Sequence, residues 1–202
     1  MFEAILTEAT DRFPHATDGD LAEYAFLTAS EPNPALPGWL ARHGVDYETI
    51  EPLIGPLAVH GVLTSGRHFL PVSREEGRAA VVWTVRDDDL RAIDLIAWRP
   101  DEPVRWSLFY DAAGLLGSDN AVNPASYSAG PLPVRASVHA WLQAGASGVC
   151  ILNPARARAT LRKAAGPIAA TDERHALRLA HDLAPDVSPE KIWFAKDARR
   201  AA

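Results

Sequence analysis

Between Gly77 and Tyr110 the apolar positions fall into three runs, AAVVWTV (79–85), LRAIDLIAW (90–98) and VRWSLFY (104–110). The runs are separated by the charged or proline-rich segments RDDD (86–89) and RPDEP (99–103). β-Branched and aromatic residues bounded by such breakers predict strands. Strands adjacent in sequence pair most cheaply as an antiparallel meander. In the second run Leu90, Ala92, Asp94, Ile96 and Trp98 alternate with Arg91, Ile93, Leu95, Ala97 and Arg99. Both sets are mostly apolar, so this strand is expected to be covered on both faces. The third run is more one-sided, with Val104, Trp106, Leu108 and Tyr110 opposite Arg105, Ser107 and Phe109, which suggests a place nearer an edge.

Upstream, Thr17 and Asp20 are spaced as a helix-capping pair opening DLAEYAFLTAS, and Pro32 ends that helix. Asn33-Pro34 opens a short helix reaching His43-Gly44. Residues 45–56 are ambiguous, interrupted by Pro52 and Pro56. Strands are expected at 57–63 and 67–72, the second at an edge because of Pro71. Ser73 and Glu76 form a capping-box pair good for one turn at most.

Downstream, 111–133 is rich in Gly, Pro, Ser and Asn and reads as a long irregular connection, or else as a ligand flap or partner-binding loop. Val134, Val138, Trp141 and Leu142 share one stripe of a helix over 134–144. A strand at 148–152, helices at 154–165 and 172–184, a turn at Ser188-Pro189-Glu190 and a strand at 191–195 follow, and 197–202 is expected to fray. That order makes a C-terminal β-α-α-β segment whose two strands lie parallel and close. The predicted fold is therefore α+β: an antiparallel meander-type sheet with packed helices. It is read as one globular domain over 1–202, with an N-terminal helical region (17–56), the sheet (57–110) and an α/β region (134–195).

Composition narrows the function classes more than it selects one. With 202 residues, 48% hydrophobic and 23% charged, the chain has ordinary globular values and length enough for a sizeable core. No apolar run reaches spanning length, and the start, MFEAILTEATDRF, lacks the basic n-region of a signal peptide. The single cysteine, Cys150, excludes an intrachain disulfide and a multi-cysteine metal site, which suits a reduced, cytoplasmic setting. A formal net charge of -6 disfavours nucleic acid as a partner.

No phosphate loop, His-Glu-x-x-His, Gly-x-Ser-x-Gly or paired-cysteine motif is present, and neither a metal nor a cofactor is expected. Asp94 is the acid of most interest, because its neighbours predict burial and a buried carboxylate needs a partner. Arg105 on the next strand is the expected partner. Asp94, Arg105, Asp111 and His139, with the 111–133 loop, are the nearest approach to a catalytic set. Asp87, Asp88 and Asp89 read as a solvated hairpin turn. His60 and His68 flank a turn and are candidate cross-strand neighbours. Cys150 lies in an apolar strand and reads as an inert core thiol. Arg158 and Arg162, then Arg174 and Arg178, repeat a four-residue spacing and would form one anion-binding rim if their helices ran antiparallel.

Three functions stay open on this reading. The first is a non-enzymatic accessory or protein-interaction protein with a protein partner or a second copy of itself. The second is a hydrolase- or transferase-type enzyme for a small acidic or anionic substrate. The third is a nucleic-acid-associated protein using the 156–178 basic face.

Overall fold

A computed structural model describes residues 1–184 and the backbone of 192–194. Four helices open the chain: α1 (Phe2–Arg12), α2 (Asp18–Ala29), α3 (Leu36–Arg42) and α4 (Tyr47–Ile54). Five strands follow: β1 (Ala58–Ser65), β2 (His68–Val72), β3 (Arg78–Arg86), β4 (Ala92–Trp98) and β5 (Trp106–Leu108). Strands β3, β4 and β5 pair antiparallel in chain order. They do not form an open meander, however. The hairpin β1–β2 joins both outer strands, β1 antiparallel to β3 and β2 parallel to β5, and the order β1-β2-β5-β4-β3 closes a mixed barrel. Closure removes the two edges that an open sheet would leave exposed, which the spacing of the strands in sequence does not reveal.

Both faces of β3 and β4 are buried. Val81, Trp83, Val85, Ile96 and Trp98 share a core with α3, α4 and the C-terminal half, while Ala80, Val82, Leu95 and Ala97 pack with Phe2 of α1 and Ala22, Ala25 and Phe26 of α2. Small residues let α2 approach β4 closely. A Cβ at Gly19 would collide with the Ala92 carbonyl, so glycine is required there. The expected Thr17–Asp20 capping box is present at the start of α2.

The C-terminal half contains β6 (Leu115–Leu116), α5 (Ser118–Val122), a 3-10 turn (Pro124–Tyr127), β7 (Leu132–Arg135), α6 (Val138–Gln143), β8 (Val149–Ile151), α7 (Pro154–Arg162), β9 (Ile168–Ala170), α8 (Glu173–Leu183) and β10 (Ile192–Phe194). Its sheet has the order β10-β9-β7-β8-β6. The expected β-α-α-β order is therefore wrong, because β9 separates the two helices and the succession is β-α-β-α before β10. Strands β8 and β10 are not neighbours either, since β7 and β9 lie between them. Three residues, Ile-Ala-Ala, are too few to show a period, and the parallel pairing that makes them a strand is entirely non-local.

Other expectations shift for local reasons. The predicted 134–144 helix is the end of β7 followed by α6, because the Ser137 side chain accepts from the Ala140 N–H at 3.1 Å and starts the helix there. Residues 47–54 form a helix around Pro52, started by Asp46, whose carboxylate accepts from Glu48 and Thr49. The stretch 111–133 carries β6, α5, the 3-10 turn and the start of β7 in place of a purely irregular loop. The turn at 188–190 and the fraying of 197–202 lie outside the described residues. Among the described residues no helix is long and apolar enough to cross a membrane.

Candidate functional site

Asp94 is fully buried, as its strand neighbours predicted, but Arg105 is not its partner. Arg105 instead meets Glu102 at 3.1 Å, and its side chain is 74% exposed. The carboxylate of Asp94 is met by backbone N–H groups alone. Oδ1 accepts from Leu95 (2.8 Å), Phe109 (3.1 Å) and Tyr110 (2.9 Å), and Oδ2 from Ala112 (2.6 Å) and Ala113 (3.2 Å). The Phe109 N–H is shared with the Leu95 carbonyl at 3.0 Å. Burial pushes the Asp94 carboxyl above its ordinary range, and the backbone bonds from Tyr110, Ala112, Ala113 and Leu95 pull against it. Every neighbour donates, so the cage is complementary to the acceptor-only, ionised form. This side chain anchors the chain where it leaves the barrel for the second sheet.

Asp111 sits inside the same segment with φ +54, and its buried Oδ1 has no hydrogen-bond partner among the described residues. Asp94 and Asp111 are thus close in the fold, but the other two members of the expected catalytic set are elsewhere. His139 on α6 bonds the His43 carbonyl through Nε2 at 2.9 Å and stacks on Trp98 with centroids 5.5 Å apart. Arg105 belongs to the Glu102 cluster at the other end of β4.

Apolar and polar side chains also meet on the seam between the barrel and the second sheet. A cavity of about 290 Å³ opens there, bounded by Trp83, Val85 and Leu116 and by polar groups of Arg86, Asn120 and Ser147. Arg86 is held by Glu23 at 2.6 Å and by the Leu90 carbonyl at 3.0 Å, next to a register shift after Val85. On the opposite wall the Gly148 carbonyl accepts from Asn120 Nδ2 and Trp141 Nε1, both at 3.1 Å. Gly148 has φ +78, and a Cβ there would strike the Pro133 carbonyl, so only glycine fits. Trp83, Asn120 and Gly148 were not singled out from sequence. Their elements are too far apart along the chain for spacing to bring them together.

The helices that carry the expected anion rim, α7 and α8, are neighbours but not in the expected sense. Strands β7, β8, β9 and β10 are mutually parallel, so the crossover helices α7 and α8 run in the same sense, not antiparallel. Arg158 donates from Nε (3.3 Å) and Nη2 (2.9 Å) to the Asp182 carbonyl at the end of α8. Arg162, Arg174 and Arg178 are exposed.

The remaining candidates are structural. Asp87 accepts from the N–H groups of Asp89 and Arg91, both at 2.9 Å, which builds the hairpin turn, and Asp88 meets Lys163 at 3.0 Å. That lysine holds the Asp88 carboxyl below its usual range. His60 and His68 are not cross-strand neighbours, because His60 lies opposite Ala80 and His68 opposite Ser65. Cys150 is buried, and burial pushes its thiol up to about 12, far from a reactive thiolate. Among the described residues, no three His, Cys, Asp or Glu side chains gather as a metal ion would require. No family model, curated protein or solved structure matches the chain.

Proposed function

We propose that this is a non-enzymatic accessory protein that receives an apolar anchor of a partner protein in the seam cavity. The observation that carries this reading is the rim of the cavity. Leu53 and Leu90 line it while standing 66% and 60% exposed, beside a floor that includes Trp83 and Trp141. Burying one such leucine contributes about 1.5–3 kcal/mol, so a partner covering both gains affinity at this point. Arg86, Asp119 and Asn120 in the same lining supply polar contacts that would orient it.

We prefer this to a hydrolase or transferase because Asp94, Arg105 and His139 already hold backbone or Glu102. We prefer it to nucleic-acid binding because Arg158 is spent on the end of α8. A cytoplasmic setting belongs to the same reading, since a single cysteine builds no intrachain disulfide. The test is a displayed-peptide selection on the wild-type protein, repeated on a Leu53→Glu, Leu90→Glu double variant. Enriched peptides should share a large apolar residue and lose binding to the double variant. Enrichment of peptides indifferent to both substitutions, or none at all, overturns the reading.

A further inference from the structure

The barrel end away from the seam cavity gathers a second group of polar side chains. There β1 and β4 run out and β5 begins, and a cavity of about 330 Å³ is lined by Arg67, Arg99, Arg105, Trp106 and Ser107. Arg78, Arg99 and Arg105 all converge on one carboxylate, Glu102, at 3.4, 2.8 and 3.1 Å. Three guanidinium charges against one carboxylate leave two positive charges in excess. Each of these contacts uses a single guanidinium nitrogen, which leaves the fork geometry of Arg99 and Arg105 able to face the cavity. Arg67 adds a fourth guanidinium, held over the Trp106 ring at 4.6 Å and bonded to the Leu152 carbonyl. The Arg99 side chain is only 21% exposed, so its charge is screened less than that of a surface arginine. Within a chain of net charge -6 this is a local reversal of sign.

We propose that this barrel mouth binds a small phosphate monoester carrying an apolar body. Of the four arginines, Arg67, Arg99 and Arg105 line the cavity, so against Glu102 two positive charges are in excess there. A phosphate dianion matches them, and its three oxygens use more guanidinium donors than a carboxylate does. Val62, Ala97 and Trp106 line the same mouth and supply apolar surface for the body. The buried Ser107, in the same lining, adds a hydroxyl.

The test is calorimetric titration of the full chain with phenyl phosphate at low ionic strength, beside inorganic phosphate, benzoate and benzyl alcohol. Phenyl phosphate should bind at one saturable site, more tightly than any of the other three. Arg105→Gln should weaken it by about tenfold, the worth of one charge-assisted hydrogen bond. Arg105 is largely exposed, so its unfolding midpoint should not move. Arg99→Gln should weaken binding at least as much, with circular dichroism reporting the fold. Arg174→Gln, on α8, should leave binding unchanged. Absence of saturable binding, or affinity indifferent to both Arg99→Gln and Arg105→Gln, overturns the site. Equal affinity for benzoate overturns the phosphate assignment, and equal affinity for inorganic phosphate overturns the apolar body.

Discussion

The barrel and the second sheet are each locked by a polar hub, and the two hubs are built in opposite ways. In the barrel a side-chain carboxylate, Asp94, gathers backbone N–H groups from Leu95 and from the 109–113 segment. In the second sheet a backbone carbonyl, that of Gly148, gathers side-chain donors from Asn120 and Trp141. The first arrangement concentrates everything in one side chain, so its loss orphans several donors at once. The second is redundant, because either donor alone still satisfies the carbonyl. The difference shows that equally buried polar hubs carry very unequal mutational risk, depending on which partner is shared.

The largest effect is expected at the concentrated hub. Asp94→Ala leaves the N–H groups of Tyr110, Ala112 and Ala113 without acceptors, at a cost of about 4 kcal/mol in urea unfolding. Asp94→Asn should be nearly as damaging, since its amide nitrogen would point donors at donors. A change below about 1 kcal/mol in both variants would break the contrast between the hubs.

The redundant hub should respond less and non-additively. Trp141→Phe is expected to cost about 2 kcal/mol, mostly from lost packing, and Asn120→Ala about 1 kcal/mol. Combining them should cost more than their sum, because only then is the Gly148 carbonyl left unpaired. Strict additivity in the double-mutant cycle would show that the two donors do not back each other up.

A smaller and opposite effect is expected at Asp111, where a non-glycine residue has φ +54 and a buried carboxylate oxygen is unpaired. Asp111→Gly should stabilise by about 1 kcal/mol, since it relieves both. Destabilisation in the same assay would mean that the carboxylate supports the Asp94 cage.

The smallest effect is carried by pH and lies outside both hubs. Burial, with Arg74 for His60 and Arg178 for His175, holds both imidazoles below their ordinary 6.5. The unfolded chain then binds more protons than the folded one, so stability is complete above pH 6.5 and declines as pH falls through that value. His60 Nε2 contacts Ser30 Oγ at 3.1 Å, and the Thr171 N–H donates to Nδ1 of His175, which fits the neutral ring. Unfolding midpoints that are flat from pH 8 down to pH 5 would contradict this assignment for both histidines.

Sequence by itself determined what depends on neighbours a few residues apart. It placed the strands at 79–85 and 90–98, the two-sided burial of the second of them and with it Asp94, and the inert position of Cys150. The cap at Thr17 was equally legible, because a cap is made within one turn. Helix α1 carried a usable signal that was passed over, with Phe2, Ile5, Leu6 and Ala9 on one stripe. What only the tertiary structure decided rests on pairing across long separations. Barrel closure needs β1 beside β3 and β2 beside β5, and neither apolar alternation nor turn residues specify a third and fourth partner. Strand β9, at three residues, exists only because β7 and β10 flank it. Asp94 was recognisable as buried, yet four of its five donors lie 15 to 19 residues later, in Phe109–Ala113, and donate through backbone N–H groups that leave no side-chain signal. Arg105 was noticed for a partner it does not have, while Arg67 and Arg99 went unnoticed, because the mouth they share exists only once the strands close. A side chain declares its burial through its immediate neighbours, but the groups that satisfy it are chosen by the path of the whole chain.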